Sequence, residues 1–369
     1  LPGGEWSATL AQDRDEPGEG GIDVRVLLTA LCLLGAAGAE RATAQLVITA
    51  TQLVQDGGRL DWYTGASHSL IAFDAGVGEG ASEVFTVEPD GSDRRCVTCA
   101  TSLSDGYVGQ PSWHPDGERL VVQVENENSP QSFLNSLLWG FDNDLWLVRR
   151  DGSAPEKIWD TPPGWAALHP HFDDSGTRLV FVERFPNPGD EQDRWKNWQI
   201  KIAEFDDSQS GLAKLSNIRT LRPNGAGVYE AHGFVGAAGL LYTFSPAGVG
   251  RLDDIYFLAP GAAPKNVTQT PDSIWNEHGH TMPTNPKVMA FMSDRLDAAI
   301  PLPRPFRTEL YLTFPGQPGV RITNFNKTAE DEYIVKDMAW NADGTRIAFL
   351  VTGTGFPAPQ IWTINFSGS

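Results

Sequence analysis

Five of the chain's seven histidines fall on a repeating register. The reference point is the residue that opens an apolar run just after a turn: Arg119, Arg178, Gly239, Lys287 and Arg346. Counting back seven positions gives Ser112, His171, His232, His280 and Ala339; counting back nine gives Gln110, His169, Glu230, His278 and Asp337. Imidazole nitrogens with a carboxylate oxygen suit Zn, Mn, Fe, Cu or Ni, and three protein ligands with one open position is a catalytic type of centre. The register marks His171, His232 and His280 as one candidate ligand arc. His169, Glu230, His278 and Asp337 form a second tier beside it. Taken singly, each histidine also suits a polar channel, where it would bond only water and backbone. His68 and His114 lie outside the register and read as turn or surface residues.

The register belongs to a repeat. Pro111-Ser112-Trp113-His114-Pro115-Asp116-Gly117-Glu118-Arg119-Leu120 recurs as Pro170-His171-Phe172-Asp173-Asp174-Ser175-Gly176-Thr177-Arg178-Leu179 and as Met338-Ala339-Trp340-Asn341-Ala342-Asp343-Gly344-Thr345-Arg346-Ile347. Each copy ends a strand on an apolar or aromatic residue, turns at an Asp or Ser followed by Gly, and starts a β-rich run. A second signature follows: Glu83-Val84-Phe85, Asp144-Leu145-Trp146, Gln199-Ile200-Lys201, Asp254-Ile255-Tyr256, Glu309-Leu310-Tyr311 and Gln360-Ile361-Trp362. Its spacing is that of propeller blades with four short antiparallel strands each.

The expected fold is therefore all-β, a six-bladed β-propeller with blades near 58–103, 104–164, 165–224, 225–272, 273–333 and 334–369. The last repeat lacks a fourth strand, while Gln45-Leu46-Val47-Ile48-Thr49-Ala50-Thr51 is a strand without a repeat. Pairing the two closes the ring and hides an edge. Innermost strands line the channel, so equivalent positions on neighbouring blades converge there. Blade one, by the same count, offers Tyr63 and Asp61.

The runs 113–120 and 341–349 resemble the repeats of TolB-like propellers, as does Phe291-Met292-Ser293-Asp294-Arg295 followed by Glu309-Leu310-Tyr311. The likeness covers residues 45–369 and implies fold more than activity, because the fold hosts binding proteins, scaffolds and enzymes. His278-Gly279-His280 with His232 is also similar to the metal-binding His-x-His pattern of oligogalacturonate lyases, whose supporting Gln has no evident counterpart here. That resemblance implies a divalent metal that neutralises a uronate carboxylate, and a basic group that takes the neighbouring proton. Arg184, Arg194 or Arg295 would hold a carboxylate in bidentate fashion; for Arg295, in the Ser-Asp-Arg run, a structural salt bridge competes with that role.

Composition narrows the rest. A net charge of -19 disfavours non-specific nucleic-acid binding and adhesion to anionic lipid. Neither a Gly-x-Ser-x-Gly elbow nor a phosphate loop is present, so no nucleotide or organic cofactor is expected. Val24-Arg25 followed by the apolar run 26–38 and Ala42-Thr43-Ala44 reads as a signal peptide over 24–44. Residues 1–23 then read as an extension that is not native, and 45–369 as one periplasmic or secreted domain, monomeric and without a membrane span. Cys96 and Cys99 suit a local disulfide in an oxidising compartment. The insertions Glu125–Asp144 and Phe185–Trp198 carry Phe133, Trp139, Phe141, Trp195 and Trp198. These aromatics would either stack on a ligand or pack as a local cluster. The function expected is binding of a small molecule, carbohydrate or protein at the channel face, with a metal-dependent lyase or hydrolase as the alternative.

Overall fold

The second strand of every blade is a nearly unbroken apolar run, and such a strand needs cover on both faces. In the computed structural model each of these strands has it. Residues 5–10, 21–31, 42–78, 80–103, 106–129, 138–186, 195–207, 213–247, 253–271, 274–300, 305–313 and 319–368 are described. They form six antiparallel sheets arranged in a ring. Blade one runs from Leu60–Thr64 through Ser69–Gly76 and Ser82–Val87 to Arg95–Cys96, and each blade repeats that sequential order. The innermost strands of blades two to six are Val108–Trp113, Ala166–Phe172, Gly227–Val235, Asn276–Met282 and Tyr333–Trp340.

Alternation along the second strands divides the core into six apolar clusters, one between each pair of neighbouring blades. In Arg119–Glu125, Leu120 and Val122 face blade one while Val121 faces blade three. In Arg178–Arg184, Leu179 and Phe181 face blade two while Val180 and Val182 face blade four. Successive side chains point to opposite faces, so one strand serves two interfaces. Outer strands lack that cover; Lys214–Leu221 is mostly exposed.

The ring closes as the missing fourth strand required. Ala42–Val54 pairs with Gln360–Gly368 from Val54↔Ile361 to Leu46↔Gly368. Ile48 and Ala50 join the cluster between blades five and six, and Val54 joins that between blades six and one. On its outer side the same strand pairs with Gly21–Leu31, which holds residues 24–31 of the stretch expected as a signal sequence over 24–44; residues 32–41 of that stretch lie outside the described residues. Glu5–Leu10 adds a further strand. All eight registered pairs between Ala42–Val54 and the last strand use residues beyond position 45. Ring closure thus needs nothing N-terminal of Gln45.

The turn glycines connect blade to blade. Gly117, Gly176 and Gly344 take φ of 70°, 69° and 72°, a left-handed conformation that glycine adopts without cost. A Cβ on Gly176 would overlap the His114 ring of the preceding blade. His114 Nε2 sits 3.2 Å from the Gly176 carbonyl oxygen, and the ring packs edge-on against Phe172. His114 is therefore a buried inter-blade contact, although the sequence suggested a turn or surface residue. Gly164, at φ 76°, has nothing within 4 Å of an added Cβ. Gly164→Ala should lose only the left-handed preference, about 1–2 kcal/mol. Gly176→Ala should lose that and the blade contact, giving a clearly larger fall in Tm by calorimetry. Equal falls would remove the glycine–histidine contact from the account.

Candidate metal centre

The inner strands are not regular. Pairing skips a residue between Gly109 and Ser112, Leu168 and His171, Glu277 and His280, and Lys336 and Met338. Each skip is a β-bulge at the same level of the channel. Gln110, His169, His278 and Asp337 sit in these bulges with φ of 48°, 51°, 51° and 37°. Left-handed backbone is strained for such residues, and bulges re-aim side chains beside functional sites. Two of the bulges contain Pro111 and Pro170, which have no N–H to donate to a ladder. Neighbouring blades support the strained backbone. Asp74 Oδ2 accepts from the Gln110 N–H at 2.9 Å, and Gln110 Oε1 accepts from the His169 N–H at 3.1 Å.

Blade four departs. Glu230 pairs regularly with Thr243, and the bulge comes later, between Ala231 and Gly233, with Gly233 at φ 102°. This displacement mixes the two tiers that the sequence register kept apart. One ligand atom each from Glu230, His232 and His278 lies within 4.8 Å of the others. Among the described residues they are the group that could hold an ion. The arc expected from His171, His232 and His280 exists as a chain of ring contacts instead. His171–His280 and His232–His280 centroids are 5.9 and 5.8 Å apart. His169 Nε2 lies 3.0 Å from Glu230 Oε1, and Asp337 Oδ1 lies 3.1 Å from His278 Nδ1.

All five histidines, with Asp337, line a cavity of about 40 Å³, space for about three water molecules. Arg59, Asp61, Gln110 and Met338 complete its wall. Arg59 touches His169 Nε2 with Nη1 and lies 3.8 Å from Asp337. The register count did not find Arg59. Blade one is paired without a bulge from Leu60↔Phe73 to Thr64↔Ser69, so a fixed count misaligns it. Tyr63 consequently packs on Trp113 at 5.7 Å, away from the cavity. Pro111 and Pro170 were the available signal, since a proline inside a paired strand calls for a bulge.

Burial sets the charge state. It pushes His278 and His280 down to about 3, and lowers His169, His171 and His232 as well. The imidazoles are neutral at neutral pH, the form that binds a metal. Burial pushes Glu230 up to about 8, against the attraction of Arg59. Burial also opposes ionisation of Asp337, but His278, Arg59 and Lys336 outweigh it and hold that carboxyl below its usual range. Glu230 Oε2 is buried without a hydrogen-bond partner among the described residues.

Other candidates sit elsewhere. Arg184 is fully buried at the end of its strand, its guanidinium over Phe141 at 4.9 Å, and does not reach the cavity. Arg295 lies over Phe291 and Tyr311 on the flank between blades four and five, outside the channel. Arg194 and Phe133 lie outside the described residues. Trp198 is buried in the core, so it packs rather than presents a surface. Trp195 is 40% exposed and meets Trp139 edge-on at 5.0 Å. Cys96 and Cys99 are joined by a disulfide.

No family model matches the chain, and no curated protein matches it. Solved structures do. TolB from Acinetobacter baumannii aligns with TM-score 0.48 and 12% identity over 98% of this chain and 79% of its own. A puromycin-hydrolyzing peptidase of Mycobacterium tuberculosis gives TM-score 0.52 and 11% identity over 95% of this chain and 52% of its own. The chain is a six-bladed propeller. An oligogalacturonate lyase in complex with manganese aligns with TM-score 0.48 and 9% identity over 94% of this chain and 98% of its own. At these identities the likeness is one of fold. The chain spans about half the length of the peptidase.

The shifted groups make opposite demands on stability. Below 6.5 the unfolded chain takes up protons that the buried imidazoles refuse, so stability falls as pH drops toward 3. Between 4.5 and about 8 the folded state holds a proton on Glu230 that the unfolded chain releases, so stability is lost as pH rises through that window. In metal-stripped protein, Glu230→Gln should remove the alkaline loss. Its Tm advantage over wild type should widen from pH 5 to pH 9, and a constant difference would mean that Glu230 is not protonated in the fold.

Proposed function

We propose that this chain is an exported propeller that binds one divalent transition metal in its channel through Glu230, His232 and His278. The centre would hold a small molecule, carbohydrate or protein group at the channel face. The observation that carries this reading is the convergence of the three ligand atoms within 4.8 Å. Two imidazoles and a carboxylate match Zn, Mn, Fe, Cu or Ni. The unpartnered Glu230 Oε2 fits a site built to receive a cation. Thr243 Oγ1 holds His232 Nε2 at 2.6 Å, an outer contact of the kind that orients a ligating ring. His278 Nδ1 faces both Glu230 Oε1 at 4.0 Å and Asp337 Oδ1 at 3.1 Å. Export is supported by the apolar run at 26–38 and by the disulfide between Cys96 and Cys99.

A bound metal would supply Lewis acidity, and Arg59 would stabilise negative charge brought to the cavity. A metal-dependent lyase or hydrolase is the alternative reading of the same centre. A cavity of about 40 Å³, or about three waters, takes in one group of a ligand whose body stays at the channel face. Binding is the preferred function.

Protein purified without a histidine tag and incubated with Zn, Mn, Fe, Cu or Ni should retain about one equivalent of metal by elemental analysis, the count expected of a single tetrahedral centre. His232→Ala and Glu230→Gln should lose it with far-ultraviolet circular dichroism unchanged, while His68→Ala retains it. Absence of metal from wild type under every condition would remove this reading. Release of unsaturated products from oligogalacturonides would replace binding with lyase activity.

A further inference from the structure

A guanidinium whose donors are buried without a partner is a better pointer to a ligand than an exposed cation, because water cannot satisfy it. Arg295 is such a guanidinium. Its guanidinium lies 5.5 Å from the Phe291 ring centroid and 5.3 Å from that of Tyr311. Among the described residues no carboxylate pairs with it, and its Nε is buried without a hydrogen-bond partner. Two aromatic faces orient the fork but do not satisfy its donors. A partly desolvated charge in that state calls for an anion.

Arg295 faces a cavity of about 380 Å³ between blades four and five, lined also by Val267, Gln269, Pro271, Ile274 and Phe291. Gly319 lines it too, and a Cβ there would come within 3.2 Å of Arg295 Nη1. Glycine keeps the guanidinium accessible. Behind the wall, Asp254 is engaged by Thr268 and Thr270 hydroxyls at 2.5 and 2.8 Å, so it does not neutralise Arg295 directly.

We infer that this flank pocket, separate from the channel, binds a small organic carboxylate through Arg295. A planar fork meets a carboxylate with two parallel hydrogen bonds. One cation balances one negative charge, and the nearby Asp254 penalises a dianion such as phosphate. Val267, Pro271, Ile274 and Phe291 suit an apolar body behind the carboxylate.

The test titrates the full chain with benzoate and, separately, inorganic phosphate. It follows the Arg295 Nε–H resonance by NMR and the affinity by calorimetry. Benzoate should shift that resonance in wild type. Arg295→Gln should weaken binding by about tenfold or more, the worth of a charged hydrogen-bonded pair, with Arg295→Lys intermediate. No shift with benzoate, equal binding by Arg295→Gln, or tighter binding of phosphate would each overturn the inference. The wild-type resonance decides the matter even if the Gln variant fails to fold.

Discussion

Two-sided burial of each blade's second strand is the constraint on which the rest of the molecule depends. Val121 cannot leave water without blade three, nor Leu120 and Val122 without blade one. Every blade thus needs two neighbours, and a row of blades would leave an apolar face open at each end. Closing the row into a ring removes both faces. Pairing Ala42–Val54 with the last strand completes the sixth sheet, and Ile48, Ala50 and Val54 fill the clusters on either side. Convergence of the inner strands at the channel follows from that closure.

Convergence alone would produce a ring of polar side chains. The bulges turn it into a candidate site. Four blades hold a non-glycine residue at positive φ at one level, and blade four displaces its bulge to Gly233. The displacement brings a carboxylate and an imidazole from one blade to an imidazole from the next. Strained backbone persists only where its surroundings over-determine it. Here the support comes from neighbouring blades, as in the sequence Asp74, Gln110, His169.

Burial then selects the protonation state. Five imidazoles gathered at one cavity would repel one another if charged, and desolvation keeps them neutral. The same desolvation protonates Glu230. A metal entering this centre would displace that proton, which couples occupancy to pH.

The sequence by itself determined the six blades, their approximate limits and the strand that closes the ring. Those features rest on period-two alternation and Asp-Gly turns, which are local and legible. It also put His169, His171, His232, His278, His280, Glu230 and Asp337 on innermost strands, because a repeat carries position from blade to blade, and the five histidines and Asp337 line one cavity. It did not determine which of them meet. One extra residue in an inner strand changes what every later side chain faces, and a fixed count cannot register that blade one lacks the bulge or that blade four moves it. Arg59 and the grouping of Glu230, His232 and His278 were decided by tertiary structure for that reason. Arg184, Arg295 and Trp198 were likewise placed by packing against partners distant in sequence or across the sheet, which charge and aromatic character alone do not reveal.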